Sequence, residues 1–186
     1  MRSCIKKISI LFLGLLIGCN DTSQVQNGIM TSNPSITVGD AFNNWDACEK
    51  TKWDEFTTDN NMRIVEFSCM DIIKAQVMDE LADKYVGMEN ERREGELKIA
   101  YYKYVFQWVI NVDGSFEIDN VQQVIVWRDG KKFEDTLDAD EQVNLVYQNS
   151  VFSVQQFEKD SGGEGFAQII FHRLWATFKH LHQIAK

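Results

Sequence analysis

The chain has 186 residues, a formal net charge of −9, and a composition that is 44% hydrophobic and 12% aromatic. So much apolar surface excludes a disordered chain, and so acidic a balance excludes a nucleic-acid partner, whose binding rests on neutralising phosphates. The length suits one domain with a real core, and no internal repeat interrupts it.

The first nineteen residues read MRSCIKKISILFLGLLIGC. Arg2, Lys6 and Lys7 form a basic head, and Ile8 to Ile17 is an apolar run well short of the roughly 20 residues that cross a bilayer. This is the layout of an export signal. The closing Leu16-Ile17-Gly18-Cys19 resembles the lipobox of bacterial lipoproteins. The resemblance implies that a diacylglyceryl group is attached to the Cys19 sulfur, that residues 1–18 are removed as a signal peptide, and that the new amino group is acylated. Loss of Arg2, Lys6 and Lys7 from 19 Lys+Arg leaves 16 against 28 Asp+Glu, a mature charge near −12. Asn20-Asp21 fits neither membrane of the envelope over the other, because an acid directly after the cysteine is the stronger inner-membrane signal.

Residues 19–36 are expected to be the lipidated cysteine and a flexible tether, because Asn20 to Ser35 is polar, small and unpatterned. Such a chain would hold the domain roughly 20–25 Å from the membrane. Residues 37–186 then form a single domain. Thr37 is a plausible N-cap for a helix from Val38 to about Cys48, with Val38, Ala41, Phe42 and Trp45 on one face. Thr51–Thr57 and Met62–Met70 read as a hairpin that puts Val65, Phe67 and Cys69 on its core face. Cys4 leaves with the signal and Cys19 takes the lipid, so Cys48 and Cys69 remain in an exported domain, where a disulfide can form. The alternative is a pair of buried free thiols.

Asp71–Lys84 switches to helical spacing, with Ile72, Ile73, Val77 and Leu81 as its stripe, and a charged connection follows that can prolong it to about Arg93. Leu97–Val112 carries apolar residues on both faces and is expected to be a central strand buried on both sides. Asp113-Gly114 and Asp129-Gly130 signal two-residue hairpins with positive φ at both positions. Phe116–Trp127 and Lys131–Thr136 complete a three-stranded meander. A helix begins at Asp138, residues 150–165 are mixed, and Ser161–Gly165 is a flexible break. Phe166–Lys186 is an amphipathic helix with Phe166, Ile170, Leu174, Phe178 and Leu181 as one stripe, widened by Phe171 and Trp175.

The fold class is therefore α+β: an antiparallel meander with an N-terminal hairpin and flanking helices. No catalytic constellation emerges. His172, His180 and His182 point apart and read as surface residues, and the acids near Asp138 lack the pattern of a calcium loop. No metal or cofactor is implied. The C-terminal helix either covers the sheet or offers Phe171, Arg173, Trp175 and Lys179 to a partner protein or to lipid. The expected function is a membrane-anchored envelope lipoprotein with a non-catalytic binding or assembly role; the alternative is an envelope hydrolase or other enzyme with an unrecognised site.

Overall fold

A computed structural model describes residues 20–87 and 97–186. The leader with Cys19 and the charged connection around Arg93 lie outside the described residues.

Five antiparallel strands pair strictly in chain order: β1 (Lys50–Thr57), β2 (Arg63–Asp71), β3 (Ile99–Ile110), β4 (Phe116–Trp127) and β5 (Lys132–Thr136). The meander and the N-terminal hairpin are as expected. The turns differ. All three tight hairpins use a three-residue loop in which only the last residue is left-handed: Asn61 (φ 61°), Gly114 (φ 86°) and Gly130 (φ 90°). In each, that residue's amide reaches back three positions, to Thr58, Asn111 and Trp127. Asp113 and Asp129 keep ordinary φ and instead accept the amides of Ser115 and Lys131 at 2.9 and 3.1 Å. Their short side chains stabilise the turn without entering the left-handed region themselves.

Strand alternation sends Trp53, Val65, Phe67, Tyr102, Tyr104, Phe106, Trp108, Val121 and Ile125 to one face. Every helix packs there: α1 (Asp21–Asn27), α2 (Val38–Asn43), α3 (Ile72–Tyr85), α4 (Ala139–Tyr147), α5 (Val154–Asp160) and α6 (Glu164–Ile184). Phe42 is the hub, with the rings of Phe67, Phe106 and Trp108 within 5.1 Å in edge-on contact. Edge-to-face packing of this kind adds to what burial alone contributes. On the opposite face Ile64, Val105, Val124 and Val126 are buried by neighbouring strands, with Glu66, Gln107 and Asn120 hydrogen-bonded in a row between them. β3 is therefore covered by helices on one side only, and its second apolar face is sheltered within the sheet.

The stretch expected as a tether is folded. Asn20 caps α1 by accepting the Ser23 amide at 2.8 Å, and Val25 is fully buried. Asp21 pairs with Arg63, Thr22 donates to Glu55 at 2.9 Å, and a Cβ on Gly28 would overlap the Phe116 ring. One valine in a polar run is enough to seat the segment, and its polar neighbours find partners on β1 and β2. α2 keeps its Thr37 cap at 3.0 Å but stops at Asn43, because the Asn44 amide side chain bonds the Asp40 carbonyl and ends the helix. α5 falls within the stretch read as mixed.

Cys48 and Cys69 are disulfide-bonded, tying the loop after α2 to the core face of β2. α6 covers the sheet edge, but its stripe is turned from the expected one. Ala167, Phe171, Trp175, Phe178 and His182 point inward, while Phe166 and Ile170 are 65% and 42% exposed. Phe171 and Trp175 thus belong to the core and are not a partner or lipid face; only Arg173 on that face is exposed, and Lys179 is half-buried. His182 is likewise no surface histidine. It is buried edge-on against Trp127 and bonded to Asp129 at 2.8 Å. Together with backbone pairing of Lys186 to Lys132 and the Lys84–Glu164 ion pair at 2.9 Å, this fastens α6 at both ends.

Candidate functional site

A cavity of about 710 Å³ opens between α3, α4 and α5 over the sheet. Its floor is Tyr104 of β3 and Gln123 of β4. Asp71 and Lys74 enter from the start of α3, Glu141, Gln142 and Gln148 from α4, and Gln156 and Asp160 from α5. Trp45 and Phe152 form aromatic walls. One wall is stitched in place: Trp45 Nε1 donates to the Ser150 carbonyl at 2.9 Å, and Asp46 and Asn149 exchange two hydrogen bonds of 2.7 Å. Asn149 stands at φ 49°, closing α4 so that residues 150–152 turn over the cavity.

The chemistry concentrates on Lys74. Asp71 is both the last residue of β2 and the N-cap of α3, accepting the Lys74 amide at 2.8 Å. That cap fixes the first turn and points the Lys74 side chain back over the sheet. Its ammonium donates to the Tyr104 hydroxyl at 2.6 Å and lies 4.6 Å from the centre of the Tyr102 ring and 5.9 Å from that of Phe152. Three rings therefore replace much of the water a lysine head normally keeps. Burial pulls its pKa down to about 8, with the Asp71 carboxylate opposing the shift. Burial also raises Asp71, against the amide hydrogen bonds and the charge of Lys74, and raises Tyr104 and Tyr102. The Tyr102 hydroxyl is buried and finds no hydrogen-bond partner among the described residues.

Around this centre the lining offers amides and carboxylates in excess over cations. Asp71, Glu141 and Asp160 outnumber the single ammonium, so the cavity suits a small neutral or cationic polar ligand better than an anion. Of the residues singled out from the sequence, Cys48 follows the lining residue Ala47 and Cys69 pairs across the sheet with Tyr104, while Phe171, Arg173, Trp175 and Lys179 belong to α6, which does not line the cavity. Lys74 was missed because Ile72, Ile73 and Val77 draw the eye to a flank of α3 that is only half-buried. The inward face is Asp71, Ala75, Met78, Leu81, Ala82 and Tyr85, with Lys74 beside it. The signal in the sequence was a lysine at helical spacing with Met78, Leu81 and Tyr85, all three of them buried. No protein-family profile matches the chain, and no curated protein or solved structure matches it either.

Proposed function

We propose that this protein is a lipid-anchored lipoprotein of the bacterial envelope that binds a small polar ligand in the cavity at Lys74 without transforming it. The leader and the Leu16-Ile17-Gly18-Cys19 sequence support the anchor, and Cys19 carries the lipid. The observation that carries the binding role is the cavity itself: aromatic walls, four glutamine amides and a braced rim, with room for a ligand of modest size. Binding is tested by screening a fragment library against residues 20–186 by NMR. Fragments that shift the Trp45 indole and Tyr104 signals, and lose that effect in Gln123→Ala, support the reading. Fragments that bind nowhere, or that scatter over the surface, reject it.

A second reading, an envelope enzyme, draws on Lys74 alone. A partly discharged amine beside a phenol and a carboxylate can attack a carbonyl carbon, releasing water to form an imine. Treatment with acetaldehyde and cyanoborohydride, followed by peptide mapping, separates the two. Selective alkylation of Lys74 over the exposed lysines favours the enzyme, and uniform alkylation removes it.

A further inference from the structure

The end of the sheet where α1 docks has a character of its own. Thr57, Arg63, Ile110 and Phe116 lie side by side across it, so the β1–β2 and β3–β4 turns project together from the same edge. Beside the polar tip residues Asp59, Asn60, Asn61 and Asp113, this end carries exposed apolar side chains. Val112 is fully exposed, Met62 is 45% exposed, and Phe56 beside them is 44% exposed. α1 is fastened to this same end through Asp21–Arg63, Thr22–Glu55 and the Gln24 side chain on the Gly114 carbonyl. The described chain starts at Asn20, the cap of α1, and Cys19 is one peptide unit away.

We propose that the β1–β2 and β3–β4 loops rest in the membrane interface beside the lipid on Cys19 through Val112, Met62 and Phe56, holding the domain upright and in contact with the bilayer. This rests on the lipid-anchor reading. With α1 packed on the sheet, no tether remains to lift the domain away. Exposed apolar side chains at the point of anchoring gain by entering the headgroup boundary, roughly 5–10 Å deep. Asp59 and Asp113 on the same loops disfavour an anionic surface and fit a zwitterionic one. The Lys74 cavity lies at the far end of β2, nine residues away, so its mouth faces solvent about 25–30 Å from the tips.

The test uses the full chain, produced so that Cys19 is processed, verified by intact mass, and placed in phosphatidylcholine vesicles. Cys48 and Cys69 are bridged, so Val112→Cys supplies a single thiol for a nitrobenzoxadiazole probe, and Arg128→Cys places the same probe on the opposite turn. Docking predicts a blue-shifted Val112 probe quenched by nitroxide-labelled lipid, with the Arg128 probe unquenched. Two unquenched probes on protein that carries the acyl mass overturn the docking and leave the anchor standing. Protein whose mass lacks lipid overturns the anchor, and the docking with it.

Discussion

At the scale of single residues, Lys74 is the position where burial and charge conflict most. Its folded pKa of about 8 lies below the 10.5 of a free lysine, so between these values the unfolded chain holds more protons than the native one. Stability from this group is therefore lowest when it is charged in both states and recovers as pH rises above 8. Replacing Lys74 by Met removes the titration. The difference in unfolding free energy between wild type and Lys74→Met should move in favour of wild type by roughly 2 kcal/mol between pH 8 and pH 10, measured by urea denaturation. A flat difference would mean that Lys74 keeps an ordinary pKa. Cys48 and Cys69 make the other residue-scale claim. Their bridge spans 21 positions, and Cys48→Ala with Cys69→Ala should cost about 3 kcal/mol, with no free thiol found in the unreduced native protein.

At the scale of elements, α6 shows how a helix can be legible in extent and misread in rotation. Its sequence is apolar on more than half its circumference, so several stripes compete. The expected stripe led with the large Phe166 and Ile170 and was only widened by Phe171 and Trp175, whereas the buried side starts at the small Ala167 and runs through Phe171 and Trp175. Phe171→Ala should lower stability by roughly 3–5 kcal/mol, while Phe166→Ala should leave the melting temperature nearly unchanged. Equal effects would refute the observed rotation. The same rule explains α3, where Ala75 and Ala82 face the sheet and the larger Ile72 and Ile73 flank it. Strands were easier, since a two-residue period leaves only two faces to choose between, and Val65, Phe67 and Cys69 fell on the right one. Turn position was legible from Asp113-Gly114 and Asp129-Gly130, but turn type depends on φ at a single residue, which the dipeptide does not settle.

For the whole molecule, the hairpin and the three-stranded meander followed from patterns repeated along many residues. The cavity did not, because Trp45, Asp71, Tyr104, Gln123 and Gln156 come from five separate segments and only the packed chain brings them together. The folded state of residues 20–35 was hidden for the opposite reason: one buried Val25, the Asp21–Arg63 ion pair and a few hydrogen bonds outweigh a composition that reads as linker.

The strictly sequential sheet also governs the order in which the molecule can assemble. Each strand pairs with the one made just before it, and only the β2–β3 step spans a helix. Contacts of short sequence separation close with little entropy loss, so the meander can grow as the chain emerges, without a strand held open for a distant partner. α6 follows the sheet in sequence and needs Asp129 and Lys132 already in place, which makes this helix a fastening added to a sheet built before it.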